Sequence, residues 1–172
     1  MHNITIETER LILRPLTAAD AEEVFEWVSD ERVAKYMSYT TYKSIEQVVD
    51  LLKSFEVEST NCYFIVIRRS DEKAIGSCNI GVDSKDDGFW GFGYNFRYDC
   101  WGNGYATETV KAMLKYVYDN LGARKFTASH AEPNKASGRV MEKCGLHFVG
   151  YGEFKKLDGS CKMRSIVYEG EL

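Results

Sequence analysis

Long apolar runs are missing from this chain. Of its 172 residues 44% are hydrophobic and 28% charged, and charge interrupts every stretch before it nears the ~20 apolar residues that a membrane span requires. No apolar signal-peptide core follows the opening MHNITIETER, so the expected location is the cytoplasm, with no membrane partner. A basic stripe is missing too. The formal charge is -4, which argues against a nucleic-acid partner, whose phosphates call for clustered Lys and Arg. Cys62, Cys78, Cys100, Cys144 and Cys161 are odd in number and lack C-x-x-C spacing. They point to neither a disulfide framework nor a zinc site, and no metal is expected; the thiols read as reduced and mostly buried. Proline occurs twice, and no repeat, low-complexity tract or linker divides the chain. One domain over residues 1–172 is the expected organisation.

What is present alternates between strand and helix patterns. RLILR (Arg10 to Arg14) reads as a strand stopped by Pro15. Thr17 with Asp20 reads as a helix start, followed by Ala21, Val24, Phe25 and Val28 at helical spacing. Ser44 with Gln47 has the capping-box spacing and opens a second helix through Ile45, Val48, Val49, Leu52 and Phe55. Three strands follow, NCYFIVIRR, AIGSCNIGV and GFWGFGYNF, separated by the turn segments SDEK and DSKDD and read as an antiparallel meander. Ala106, Val110, Met113, Leu114, Val117 and Leu121 mark the clearest amphipathic helix, ended by Gly122. ARKFTASHA is the next strand, Asn134 caps a helix that stops at Gly145, and the tail forms a hairpin turning at Asp158 and Gly159. This order is that of a mixed α/β domain with about seven strands and four helices. The strands on either side of the amphipathic helix are joined by a crossover and so lie parallel.

The point where a strand gives way to that helix is CWGNGYATET, Cys100 to Thr109, with Gly102 and Gly104 one residue apart. Glycines leave backbone N–H groups uncovered, and a helix start adds unpaired amides and the positive end of its dipole, so the place suits an anion. A tight turn is the competing reading. The motif G-x-x-x-x-G-K-[ST] is absent, and G-x-G-x-x-G fails at Thr107, which excludes both nucleotide loops.

TERLILRPL, DAEEVFEWVSDERVAKYM, IGSCNI, FGYNFRYDCWGNGYATET and EPNKASGRVMEKCGLHFVGY together resemble the GCN5-related N-acetyltransferases (GNAT), in particular the ribosomal-protein N-terminal acetyltransferase (RimJ/RimL-type) branch. Nearly the whole chain takes part. The resemblance implies the single-domain GNAT fold, with a mostly antiparallel central sheet, and acetyl-CoA as acyl donor. Its pyrophosphate would lie on the backbone amides of Trp101, Gly102, Asn103, Gly104, Tyr105 and Ala106, with the Thr107 hydroxyl as a further ligand or only a cap. Trp101 stands where the superfamily has Gln or Arg, and Asn103 where Lys or Arg is common, so one cation is missing there. In the family the preceding strand carries a bulge whose backbone meets the pantetheine arm and acetyl carbonyl; the matching residues are Asn95, Phe96 and Arg97. The tyrosine that serves many members as thiolate acid is here Met141, seven residues after Asn134. Ser137 is then the matching candidate for that catalytic role, or a capping hydroxyl, while Asn134 is both cap and pantetheine ligand. Arg139 and Lys135 are candidates for the 3'-phosphate, with an Arg139–Glu142 ion pair as the competing role.

The acceptor is a primary amine. An α-amino group has a pKa of about 8 and a lysine about 10.4, so a protein N-terminus needs less help to lose its proton. Candidate bases are Asp83, Asp99, Glu132, Glu153 and His130. The segment after the first helix would line the acceptor groove through Tyr36, Met37 and Tyr39, or pack a dimer contact. The expected enzyme acetylates a protein or peptide N-terminus by direct attack in a ternary complex, as a monomer or homodimer. A small-molecule amine as acceptor, or a non-catalytic acyl-CoA-binding module, are the alternatives.

Overall fold

A computed structural model describes residues 4–57, 61–83 and 88–172. The chain opens with β1 (Ile6–Glu7) and β2 (Leu11–Pro15). After Pro15, the Thr17 N–H donates to the Asp20 carboxylate at 2.9 Å and the Asp20 N–H returns to the Thr17 carbonyl at 3.0 Å. This reciprocal pair starts a single 3-10 turn and then α1 (Ala21–Val28). A four-residue helix, α2 (Glu31–Ala34), follows, begun by Asp30, whose carboxylate accepts the Arg32 N–H at 2.9 Å. In α3 (Ile45–Val57) half of the box expected at Ser44 is in place, with the Gln47 N–H donating to Ser44 Oγ at 3.4 Å, while the return bond falls one residue earlier: Gln47 Oε1 accepts from the Lys43 N–H at 2.9 Å.

Next come β3 (Asn61–Arg68), β4 (Lys73–Val82), β5 (Phe89–Phe96), α4 (Tyr105–Leu121), β6 (Lys125–Ala131), α5 (Lys135–Lys143), β7 (His147–Lys155) and β8 (Lys162–Glu171). Residues 84–87 of the DSKDD turn lie outside the described residues. The structure adds β1 and α2 to the pattern read from sequence, because two or four residues are too few to display a period. Gly122 ends α4 in the left-handed region at φ 72°, and Gly159 turns the final hairpin at φ 74°. Among the described residues no helix is long and apolar enough to cross a membrane.

The eight strands form one sheet in the order β1-β2-β3-β4-β5-β6-β8-β7. All neighbours are antiparallel except β5 and β6, the pair joined through α4. Alternation along the strands sends side chains to two cores. Leu11, Leu13, Phe64, Val66, Ile80 and Phe96 face α4 and α5, where Val110, Met113, Leu114 and Met141 meet them. Ile65 faces the other way, to Trp27, Val24, Val48 and Leu52 of α1 and α3. Helices therefore cover both faces. The cysteines Cys62, Cys78, Cys100 and Cys144 are buried, and none forms a disulfide among the described residues.

The parallel pairing is short and positions everything that follows. It runs only through Phe89↔Lys125, Trp90↔Phe126 and Gly91↔Thr127. Beyond Gly91, β5 stays with β4 as far as Phe96, while β6 stays with β8 as far as Ala131. The sheet thus opens into a V whose mouth lies at the carboxyl ends of β5 and β6, where ligands of parallel strands tend to sit.

Candidate active site

The glycine turn stands at one lip of the V. Gly102 and Gly104 adopt φ of 79° and 80°, a region that L side chains enter only with strain. Gly104 is the cap of α4, and the Glu108 N–H makes the first helical bond, to the Gly104 carbonyl at 3.1 Å. The amides of Tyr105, Ala106 and Thr107 thus stand in a first turn with no helical carbonyl behind them. Side chains hold the turn from below. Trp101 donates its indole N–H to the Phe96 carbonyl at 2.9 Å, and Asn103 Nδ2 donates to the carbonyls of Cys100 and Trp101 at 3.1 Å each. Asn103 is therefore a brace, and cations reach the turn from elsewhere. Arg10 donates to the Asn103 carbonyl at 3.0 Å while paired with Glu108, and an open groove of about 460 Å³ beside Gly104 and Thr107 is flanked by Lys111 and Lys143 together with Glu9 and the Arg10–Glu108 pair. The two cations named from sequence for a phosphate, Lys135 and Arg139, are exposed on α5. Glu142 accepts from the Tyr168 hydroxyl at 3.3 Å and forms no ion pair with Arg139 among the described residues.

The bulge expected at Asn95, Phe96 and Arg97 is absent. The β4–β5 ladder counts residue for residue from Val82↔Trp90 to Gly76↔Phe96, and the backbone beyond it is engaged: Arg97 N–H donates to the Ile75 carbonyl, and the Phe96 carbonyl accepts from Trp101. The strands instead approach so closely that a Cβ at Gly76 would collide with the Asn95 carbonyl and lie 2.7 Å from the Phe96 ring. Backbone on the open side of β5 is exposed to the V by the departure of β6, without an extra residue.

On the α1 and α3 face, Asn95 joins two elements. Its Oδ1 accepts from the Ser77 hydroxyl at 2.6 Å and its Nδ2 donates to the Tyr39 hydroxyl at 3.1 Å. Tyr39, read from sequence as an acceptor residue, thereby reaches the strand read as a cofactor strand. Tyr36 and Met37 are half-buried on the same loop. That loop is tied to the final hairpin by Lys156, whose ammonium donates to the carbonyls of Ala34, Met37 and Tyr39 at 2.7, 3.0 and 2.8 Å, and by Leu157 N–H to the Ser38 carbonyl at 2.8 Å. Nothing in the local pattern marks Lys156, since its partners lie more than a hundred residues earlier.

On the opposite face, α5 begins at Asn134, whose Oδ1 accepts the Ser137 N–H and whose Nδ2 donates to Ser137 Oγ at 3.0 Å. Tyr94 of β5 packs against the same core, with its hydroxyl buried and without a hydrogen-bond partner among the described residues. Burial pushes its phenol up to about 12, the Ser137 hydroxyl opposes that rise, and nearby Cys144 adds to it. Met141 is buried in the core. His130 is buried behind Gly138: Nδ1 lies 2.8 Å from the Ala131 carbonyl, so it carries the proton, and Nε2 has no partner. The carboxylates named as bases are occupied or remote. Asp99, Glu132 and Glu153 are paired with Arg97, Arg164 and Lys162, which hold each below the usual carboxylate range. Asp83 sits at the closed end of the V, its N–H on the Phe89 carbonyl. Among the described residues no group of His, Cys, Asp and Glu is arranged to hold a metal.

The profile of the acetyltransferase (GNAT) domain matches residues 10–147. The chain belongs to the GNAT acetyltransferase family. It is 28% identical over 150 residues to the uncharacterized N-acetyltransferase p20 of Bacillus licheniformis, covering 85% of this chain and 84% of that protein. An acetyltransferase of the GNAT family from Bacillus anthracis superimposes with a TM-score of 0.83 at 26% identity, over 96% of this chain and 97% of that one. RimL, a ribosomal L7/L12 α-N-protein acetyltransferase solved with coenzyme A, superimposes with a TM-score of 0.85 over 98% of both chains; at 14% identity that likeness is one of fold. This acetyltransferase is accordingly an N-acetyltransferase that takes its acyl group from acetyl-CoA. The residues fit that donor. Left-handed glycines and first-turn amides lie at one lip of the V, Lys111 and Lys143 flank the adjoining groove beside Glu9 and the Arg10–Glu108 pair, and the gap between β5 and β6 leads inward from them.

Proposed function

We propose that this acetyltransferase acetylates the α-amino group of a protein or peptide N-terminus in the cytoplasm, by direct attack in a ternary complex. Acetyl-CoA supplies a thioester, whose carbonyl carbon is the electrophile. The amides of Trp101 to Ala106, with the Thr107 hydroxyl, hold the pyrophosphate, and Lys111 and Lys143 add positive charge. Asn95 and Phe96 line the mouth of the V, and Asn134 orients Ser137. Tyr36, Met37 and Tyr39 flank the acceptor on the other face, on the loop held by Lys156.

The observation that carries the choice of acceptor is the state of the carboxylates. Asp99, Glu132 and Glu153 are each bound to a cation and are weaker bases than free carboxylates. His130 points away from the acceptor face, into the α5 contact. A site whose candidate bases among the described residues are paired with cations or remote suits an amine that is already partly neutral. At a pKa of about 8 an α-amino group meets that condition, whereas an ε-amino or polyamine nitrogen near 10 does not.

Calorimetry with acetyl-CoA on the wild type and on Gly104→Trp tests the donor site, with ATP as control. The wild type should bind and the bulky variant should not. Steady-state rates on N-terminal peptides, lysine side-chain peptides with blocked termini, and spermidine then test the acceptor. A higher kcat/KM for spermidine or blocked lysine peptides would overturn the N-terminal reading.

A further inference from the structure

Glu108 is out of keeping with the turn in which it stands. It belongs to the first turn of α4, where a carboxylate suits the helix dipole but repels the phosphates that the same amides would hold. The structure keeps that charge occupied. The Thr8 hydroxyl and the Arg10 N–H donate to one carboxylate oxygen at 2.6 and 3.1 Å, and Arg10 Nε and Nη2 reach the other at 2.7 and 2.6 Å. All four donors come from the turn between β1 and β2, which closes on itself through Thr8 N–H to the Leu11 carbonyl and Leu11 N–H to Thr8 Oγ1, each at 2.9 Å. The guanidinium anchored in this way also lies 4.8 Å from the centre of the Tyr105 ring, and its Nη1 donates to the Asn103 carbonyl at 3.0 Å.

The Asn103 carbonyl shares a peptide with the Gly104 N–H. That peptide is trans, so the two groups point in opposite directions. Gly104, at φ 80° and ψ 2°, is followed by the right-handed residues of α4. A left-handed residue beside right-handed ones gathers successive N–H groups around one anion, here those of Gly104, Tyr105 and Ala106. Glycine adopts either sign of φ at little cost, so nothing in Gly104 itself keeps its peptide from turning over and presenting a carbonyl to the anion instead. The hydrogen bond from Arg10 supplies that preference, and Glu108 supplies the position of Arg10.

We propose that Glu108 and Arg10 are positioning residues for the donor: Glu108 holds the Arg10 guanidinium, and Arg10 holds the Asn103–Gly104 peptide so that the Gly104 N–H faces the pyrophosphate of acetyl-CoA. The inference rests on the acetyltransferase reading above and concerns binding of the donor alone. Its consequence has an unusual sign. A carboxylate beside phosphates opposes their binding by its charge, yet here removing that charge weakens binding. Both Glu108 oxygens already receive two donors each, so in Glu108→Gln the amide NH2, itself a donor, would face donors whichever way it turned, and the guanidinium would leave its place. The rival role for Arg10 is that of a direct phosphate ligand. That role gives the reverse result, because Glu108→Gln would release its charge to the anion.

Glu108→Gln, Arg10→Met and the double variant are compared with the wild type by calorimetry with coenzyme A, well below their melting temperatures, and by the acceptor KM at saturating acetyl-CoA. The amide resonance of Gly104 is followed with and without coenzyme A. Each single variant should bind coenzyme A about tenfold more weakly, the loss of one charge-assisted hydrogen bond, and by the same factor at low and high salt, since an orientation is not screened. The double variant should be no weaker than Arg10→Met alone, as expected of residues acting in series. The Gly104 amide should shift on binding in the wild type and much less in either single variant, while the acceptor KM holds. Equal or tighter binding by Glu108→Gln overturns the proposal, as does a double variant restored to wild-type affinity, which is the mark of charge alone. Unchanged affinity in Arg10→Met overturns it too, whether or not Glu108→Gln folds. Failure of the wild type to bind coenzyme A would instead remove the acetyltransferase reading itself, and the proposal with it.

Discussion

Replacing Lys156 by methionine should loosen the acceptor loop while sparing the cofactor turn. The ammonium donates to three carbonyls, at Ala34, Met37 and Tyr39, and methionine keeps the length of the stem without any donor. One charge-assisted hydrogen bond is worth ~1.5–3 kcal/mol net. Three bonds share one charge here, and the carbonyls of a half-exposed loop regain water, so the total loss should be ~2–3 kcal/mol. A domain of this size moves its melting temperature by about 2–4 °C per kcal/mol, which gives a fall of roughly 4–12 °C by calorimetry. Kinetics should separate the two sides of the V. The acceptor KM should rise because Tyr39, Met37 and Tyr36 lose their anchor, and the acetyl-CoA dissociation constant should hold, since the turn at residues 101–106 is braced by Trp101, Asn103 and Arg10 instead. A melting temperature within about one degree of the wild type would refute the reading of Lys156 as the clamp.

Gly138→Ala should destabilise the protein despite improving helix propensity by about 1 kcal/mol. Its Cβ would lie 2.8 Å from His130 Nε2 and 3.1 Å from the Tyr168 hydroxyl, and His130 is pinned through Nδ1, so overpacking of about 1–3 kcal/mol should prevail; denaturant titration showing a gain would mean that the ring moves aside. Asp20 should impose an acid limit on stability. Burial pushes its carboxyl up, but the Arg14 guanidinium and the Thr17 N–H and hydroxyl more than offset this, so the folded value lies below the usual one. A depressed folded value means that the unfolded chain binds the proton first. The contribution is therefore complete above about pH 4 and is lost as pH falls through the folded value. Asp20→Asn should flatten that limb of the stability profile, and an unchanged acid limb would rule out this assignment.

The long elements and their ends were legible because each has a local cause. The α4 stripe, the Thr17 and Asn134 caps, and the glycines at 122, 145 and 159 all act within a few residues, and each stands where the pattern places it. The glycine turn was legible for the same reason. What escaped depends on contacts between distant segments. The resemblance implies a bulge at Asn95 to Arg97, whereas β5 is opened by the departure of β6, which is decided by its pairing with β8 and leaves no mark on either strand. Lys156 resembles any hairpin lysine until the loop after α2 folds onto it. Tyr94 sits in an aromatic strand where a tyrosine and a phenylalanine serve the pattern equally, and only the absence of a partner for its hydroxyl sets it apart.

The V also has a mechanical side. Three residue pairs join β5 to β6, against seven between β4 and β5 and seven between β6 and β8. The sheet is two leaves on a short hinge, with α4 strapped across them, and the seam between the leaves is unstitched along the length that a ligand would fill. A donor lodged there becomes a structural member as much as a reactant. It bridges strands that the chain leaves apart and draws the folded population toward itself by mass action. Each turnover would then loosen and retighten the molecule along one line.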